Sequence, residues 1–471
     1  MYKMANPEKK LDAVYDARTL GTPRMLVLGL QHLFAMFGAT VLVPALTGLS
    51  VSTTLLFAGL GTLLFHLVTG GKVPAFLGSS FAFLGGYAAI APKLLDEAGN
   101  ATIANLEMLP YACMGVAVAG LIYLAMALLF KCFGANRVMK FFPPIVTGPV
   151  IICIGMNLAG TAIGNCEANW LVAVVAILIV VVCNIWGKGM IKIIPILLAV
   201  VGSYLFSMII DPAARAHVAE VIGAADWIGL PVIWSHTGLS VFGANLDTGL
   251  LITSIITIAP IALATIIEHI GDMCAISSTV GKNYVADPGL HRTLVGDGLA
   301  TTVAALFGGP ANTTYGENTG VLALSKVYDP RVVRLAALFS VILSFCPKFA
   351  AIIVAMPAAT MGGVSLVLYG MISGVGVRNV VENQVDFTKS RNVLIAALIM
   401  GLAIGVNYHG ALQIAMGSIH ISLSGIAVGA LVGIILNAIL PGKDYEFGSD
   451  LQGDTSVSFG PRGNSKNIKG Q

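Results

Sequence analysis

The sequence predicts an all-α polytopic membrane protein: fourteen transmembrane segments, arranged as two inverted seven-segment repeats. Three observations carry this. Of 471 residues, 56% are hydrophobic and only 10% charged, and the mean hydropathy is +0.87, far from the range of soluble globular domains. The basic residues fall almost wholly on one side of the implied spans. Two polar breaks in the apolar pattern recur at the same spacing in each half.

Apolar runs of about 17 to 25 residues, bounded by Gly, Pro or charge, recur along the chain, and each is long enough to span a bilayer. With both termini placed in the cytoplasm, only Lys93, Arg215 and Lys348 of the 26 Lys and Arg fall outside. Such a bias sets orientation, and it supports an even number of spans. The first residues are polar and mixed in charge, so no cleaved secretory signal is expected. The seven cysteines stand singly and show no metal-type spacing.

Segment 1 runs from about Met25 to Val43 and carries Gln31 and His32. Segment 2 covers about Thr53 to Val68. In segment 3, Pro74, Gly78, Ser79, Ser80, Gly85 and Gly86 crowd a stretch too irregular for one helix, so it reads as an extended piece followed by a half-helix. An acidic outside loop with a formal sequon at Asn100 leads to segment 4, about Leu109 to Phe130. Segments 5 to 7, between Pro144 and Ile210, have no acidic residue in their apolar stretches and read as packing or oligomer-forming helices. The outside connection Asp211 to Asp247 contributes Trp227 and Trp234 as interfacial candidates.

Segment 8, about Leu250 to Ser277, holds Glu268, His269 and Asp272, and segment 9 covers about Thr293 to Phe307, with Asp297 read as solvated or structural. Segment 10 is the polar stretch ANTTYGENTG, Ala311 to Gly320, with Glu317 near its centre. A carboxylate at hydrocarbon depth costs roughly 2.5–3.5 kcal/mol on insertion scales, so its default reading is functional. Segment 11 spans about Val333 to Val354, interrupted at Pro347, and segments 12 to 14 lie between Met356 and Leu440. The polar tail reads as disordered.

Laid on itself at an offset of 237, the chain places Gln31 on Glu268, His32 on His269, Met36 on Met273 and Ser80 on Glu317; both pairs of breaks are 49 residues apart. Two halves of seven spans must be inverted relative to each other. Interrupted segments at matching positions in two halves point to a transporter site near the midplane, here between segments 3 and 10 and flanked by segments 1 and 8. Half-helix N-termini there present backbone N–H groups that suit carbonyl or anionic oxygens. Glu268, Glu317 and Asp272, the last one turn from Glu268 on the same helical face, repel anions and accept N–H donors. The matching ligand is a small neutral ring alternating N–H and C=O, such as a nucleobase, with Phe81 or Tyr315 available for stacking. One acid could load and release a proton during the cycle. For Glu268 and Glu317 the alternative is a satisfied structural acid, for Asp272 a hydrogen bond to backbone, and for Phe81 a plain core position. His32 and His269 read as supporting groups behind the ligand contacts, as do Gln31 and Asn318.

At QHLFAMFGATVLVP, PAFLGSSFAF, DPGLHR, NTTYGEN and MGGVSLVLYG the chain resembles the nucleobase:cation symporter 2 family, the nucleobase-ascorbate transporters, and within it the bacterial uracil permeases, over about residues 25 to 440. The resemblance implies short antiparallel strands in segments 3 and 10. It also implies a core domain (25–135 and 248–355) that carries substrate and moves against a gate domain (136–212 and 356–441), in a homodimer. The arm 1–24, the outside loop 213–247 and the tail 442–471 complete that division. Carried onto this chain, the resemblance makes Glu268 and Glu317 the acids at the pyrimidine. Phe81 and Gly316 become backbone donors to its carbonyls, Ser80 and Tyr315 lining residues, and Glu268, Asp272 and Glu317 the proton-handling set. Asp272 departs from the uracil pattern, which has His there, and agrees with the purine branch; the Tyr-Gly-Glu run at 315–317 favours uracil. The expectation is therefore a uracil:proton symporter of a bacterial inner membrane, with the proton as coupling ion and neither cofactor nor metal. A xanthine or urate symporter, or an anion exchanger or channel on the same scaffold, is the alternative. No phosphate loop, metal cluster or nucleophile–base pair suggests an enzyme, and no nucleic-acid partner is expected.

Overall fold

The computed structural model describes residues 13–95, 101–243, 246–410, 412–416 and 419–442. The expected disordered tail from Lys443 onward, the first twelve residues and Asn100 of the sequon lie outside them.

The helices and strands follow one another as α1 (Thr22–Thr47), α2 (Val51–Val68), β1 (Leu77–Ser79), a 3-10 turn Phe81–Phe83 running into α3 (Leu84–Ile90), β2 (Leu94–Leu95), β3 (Ala101–Ile103), α4 (Leu109–Phe133), α5 (Ala135–Val138), α6 (Pro144–Glu167), α7 (Trp170–Ile185), α8 (Met190–Ile193), α9 (Pro195–Ile210) and α10 (Pro212–Ala224). The second half gives α11 (Thr248–Ile258), α12 (Ala262–Val280), α13 (Leu290–Leu306), β4 (Asn312–Thr314), α14 (Gly316–Ser325), α15 (Pro330–Ser344), α16 (Pro347–Val354), α17 (Ala358–Glu382), α18 (Ser390–Tyr408), β5 (Leu412–Met416), β6 (Ile419–Leu423) and α19 (Gly425–Ile439). Local chemistry sets these limits. Proline opens α6, α9, α10, α15 and α16, where its missing N–H is no loss. Ser50, Asn169, Asp211, Asp247, Asp329 and Ser424 cap the N-termini of α2, α7, α10, α11, α15 and α19 with side-chain oxygens.

Among the described residues, seven helices are long and apolar enough to cross a membrane, with α11 and α12 counted as one; two bent pairs, α9/α10 at 117° and α15/α16 at 88°, raise that to nine. A helix lies in every stretch read above as a segment, but several are short, because segments 3 and 10 spend part of their length as strand.

The strands exceed expectation. β1 pairs antiparallel with β4, Leu77 opposite Thr314 and Ser79 opposite Asn312, as the resemblance implied. The ladders β2–β3 and β5–β6 were not foreseen. The expected helical start of segment 14 is strand, since IHISL alternates apolar and polar and Ser424 begins the helix only afterwards. The outside connection after Asp211 also contains the helix α10 rather than loop alone.

Helices approach closely where glycine permits. A Cβ on Gly120 of α4 would lie 2.7 Å from the Gly298 carbonyl of α13, and one on Gly298 would lie 2.7 Å from the Gly120 carbonyl. Small residues of this kind let backbones meet inside a membrane, where apolar burial gives no driving force of its own. One apolar cluster centres on α4, α12 and α13, a second on α1, α2, α15 and α17. The described part of the N-terminal arm is docked: Val14 bridges Val327, the Tyr15 hydroxyl donates to the Val280 carbonyl at 2.8 Å, and the Ala17 N–H donates to Asp329 Oδ2 at 2.8 Å.

The reciprocal contact makes a prediction. Gly120→Val drives methyl groups into backbone that cannot yield, so destabilisation at or above the upper end of about 1–3 kcal/mol is expected, seen as a lowered thermal midpoint of the detergent-purified protein.

Candidate functional site

The β1–β4 crossing extends by one backbone bond at each end: the Ser80 N–H donates to the Ala311 carbonyl at 2.9 Å, and the Tyr315 N–H to the Phe76 carbonyl at 3.0 Å. Flanking threonines repeat the symmetry. Thr62 Oγ1 both accepts from the Leu77 N–H and donates to the Leu77 carbonyl, and Thr301 Oγ1 does the same with Asn312. The pseudo-twofold thus relates Ser80 to Tyr315, not to Glu317 as the offset of 237 suggested. The sequence match was set by polarity, whereas the backbone register sets the spatial one, two residues away.

Immediately after the crossing the two half-helices begin, and neither Ser80 nor Tyr315 gives its helix a side-chain cap. The leading N–H groups of Phe81 and Gly316 have no acceptor among the described residues. Gly316 is exposed, and a Cβ there would meet only Asp272 Oδ1, at 3.8 Å. On α12 the face Glu268–Gly271–Asp272 is half-buried while its neighbours are closed in, and beside Gly271 there is open space. Glu268 lies within electrostatic reach of Glu317 and makes no hydrogen bond or ion pair to a described residue. Glu317 is half-buried in the first turn of α14, where the helix dipole favours a carboxylate. Asp272 is held: its Oδ2 accepts from Thr314 Oγ1 at 2.8 Å.

The remaining candidates sit further back. Ser80 is buried with its hydroxyl unpartnered among the described residues. Phe81 is buried, and its ring meets Tyr369 of α17 edge-on, with centroids 5.5 Å apart. Tyr315 turns away from the open space. Its hydroxyl donates to the Ser79 carbonyl at 2.8 Å and accepts from Thr40 Oγ1 at 3.2 Å, while its ring lies over Gly78, where a Cβ would come within 2.5 Å of it. Asn318 Nδ2 reaches His32 Nδ1 at 3.1 Å and the His32 carbonyl at 3.0 Å, tying α14 to α1. His269 bonds Thr293 Oγ1 at 3.0 Å and pairs with Asp297 Oδ2 at 2.9 Å, and neither side chain of that pair is accessible. Asp297 is therefore a buried partner and not a solvated group. Gln31 is half-buried and unbonded among the described residues. Thr40, Thr314, Thr62, Thr301 and Tyr369 escaped sequence reasoning, since threonine and tyrosine within apolar runs carry no positional signal.

The family model described as "Permease family" (Xan_ur_permease) matches residues 23–412. The chain belongs to the nucleobase:cation symporter 2 family. Family members and relatives are permeases, so this is a multi-pass membrane transporter and not an enzyme. The chain is 40% identical over 439 residues to the uracil permease of Bacillus caldolyticus, covering 91% of this chain and 94% of that one. It is 37% identical to the uracil permease of Bacillus subtilis (strain 168), covering 93% and 97%, and 37% identical to that of Escherichia coli (strain K12), covering 88% and 90%. In three dimensions it shares its fold with the transmembrane domain of the cyanobacterial bicarbonate transporter BicA, at TM-score 0.57 and 15% identity, covering 90% of this chain and 99% of that one. A second neighbour is SLC26A9, at TM-score 0.62 and 13% identity, covering 90% and 66%.

The Tyr315 contacts predict a graded response. Tyr315→Phe removes one buried hydrogen-bond donor and should lower stability by about 0.5–1.5 kcal/mol; Tyr315→Ala should cost about 3–5 kcal/mol because the ring space empties. Thermal midpoints of the purified variants give the order.

Proposed function

We propose that this symporter imports uracil together with a proton, by alternating access of the core domain against the gate domain. It would act as a homodimer in a bacterial cytoplasmic membrane with both termini inside, and would use the proton in place of any cofactor. The observation that carries this reading is Glu268: a half-buried carboxylate with no partner among the described residues, within electrostatic reach of Glu317 at the uncapped start of α14 and one turn from Asp272, which lies beside Gly316. A pyrimidine-dione ring satisfies both kinds of group at once, its N–H donating to Glu268 or Glu317 and its carbonyls accepting from the amides of Phe81 and Gly316. The uracil permease relatives support uracil over the alternatives. An anion would gain from the amides but meet three carboxyl groups, so the likeness to anion and bicarbonate transporters is one of scaffold. In this reading Glu268, Asp272 and Glu317 handle the proton, His32, His269, Asn318 and Gln31 support them from behind, and the backbone at Ser80 and Tyr315 forms the wall.

Uptake of labelled uracil into proteoliposomes should rise several-fold when the outside is acidified to make an inward proton gradient, and should collapse with a protonophore. Transport of xanthine but not uracil would move the assignment to the purine branch, where Asp272 already points. Glu268→Gln removes the charge and replaces one acceptor oxygen by an NH2 donor, and should abolish uracil binding, losing at least about 2–5 kcal/mol, while the purified variant remains monodisperse.

A further inference from the structure

Going beyond transport itself, we infer that the linker joining α4 to α6 is a docking surface for anionic phospholipid, held by Lys131, Arg137, Lys140 and Arg292. The inference rests on the membrane reading and on the cytoplasmic placement of this linker, and is independent of the nucleobase.

The helix α4 ends in side chains that face away from the protein: Leu128 is 59% and Phe133 55% exposed, with Leu129 beside them. At Gly134 the chain leaves the helix and turns through α5 and a 3-10 turn, Met139–Phe141. Val138, Met139 and Phe142 are buried against the protein, while Arg137, Lys140 and Phe141 point outward. The linker is thus amphipathic, with its cations and an aromatic ring on the outer side, next to apolar side chains exposed at the end of a span.

Packing brings further positive charge to the same place. α4 and α13 run antiparallel through the Gly120–Gly298 contact, so that the end of α4 lies beside the start of α13. His291 stands ahead of the apolar stretch that begins at Thr293; burial, then the charges of Arg292 and Lys131, hold its imidazole below the ordinary range. Asn437 of α19 donates from Nδ2 to the Lys140 carbonyl at 2.9 Å and accepts from Arg391 Nη2 on Oδ1 at 2.8 Å, which adds a guanidinium to the neighbourhood.

The linker itself carries no acid. No Asp or Glu occurs between Glu107 and Glu167. Lys131, Arg137, Lys140 and Arg292 make no ion pair with a described residue, whereas Lys72, Arg18, Arg331 and Arg378 each do. Uncompensated cations at a span end attract anionic headgroups, and their alkyl stems, with Phe133 and Phe141, suit the acyl boundary. A free phosphate would use the charges and leave the apolar rim idle, so the occupant is a lipid.

Native mass spectrometry of the full-length protein released from micelles with phosphatidylglycerol or phosphatidylcholine reads the site. The wild type should retain phosphatidylglycerol preferentially. The Arg137→Gln/Lys140→Gln double variant should cut that retention at least threefold, and the quadruple variant with Lys131→Gln and Arg292→Gln should remove the preference. A control with Lys188→Gln and Lys192→Gln should keep it. Cys132 adjoins Lys131 and is the one exposed cysteine among the described residues. Its labelling by a water-soluble maleimide in nanodiscs should therefore slow several-fold when phosphatidylglycerol replaces phosphatidylcholine. Both double variants change exposed side chains only, so folding is not at issue in comparing them. Equal retention by the Arg137/Lys140 variant, equal loss by the control, or Cys132 labelling indifferent to lipid charge would overturn the proposal.

Discussion

Everything at the centre of this molecule depends on the pairing of β1 with β4. An extended strand inside a membrane-embedded protein leaves its N–H and C=O groups without water, and each unpaired group costs several kcal/mol. Two such strands meeting antiparallel resolve the cost mutually. The threonines at 62 and 301 occupy further backbone positions on either side. Once the crossing is closed, both half-helices must start from the same small region, and their leading amides are brought together without any side chain having to organise them.

Three acids on α12 and α13 then differ by what surrounds them. Glu268 has no partner among the described residues, Asp272 is tied to the threonine at the end of β4, and Asp297 is sealed away with His269. His269 and Asp297 meet at 2.9 Å with neither side chain accessible, and His269 also bonds Thr293, so these contacts tie α12 to α13 and restrict the rotation of one against the other. Because His269 follows Glu268 directly, that rotation also decides where the Glu268 carboxylate points.

Much of this was legible in the sequence. The polar breaks at Ser79–Ser80 and Tyr315–Glu317 announced themselves against an apolar background, and the spacing of Glu268 and Asp272 put both on one helical face. What stayed hidden depends on the third dimension. The two-residue slip between the apparent and the actual repeat register arises because hydrogen bonding, and not side-chain likeness, relates the halves. Tyr315 looked like a ring free to stack, yet Gly78 leaves a hollow that its ring fills, and no local pattern links residues so far apart in sequence. The strand β6 lies at the start of an apolar run long enough to read as continuous helix, and Pro347 marked the break between α15 and α16 but not its angle of 88°.

The pseudo-twofold through Gly78 and Thr313 has a further consequence. Its bonds run between main-chain atoms and one threonine per side, so they place no demand on the residues that follow. At the position equivalent to Glu317 the first half carries Ala82. Symmetry in the scaffold has thus released the two halves to specialise, one keeping the ionisable chemistry and the other supplying a neutral mould. An ancient duplication can persist in this way as a pattern of backbone bonds long after the paired sequences have ceased to resemble each other.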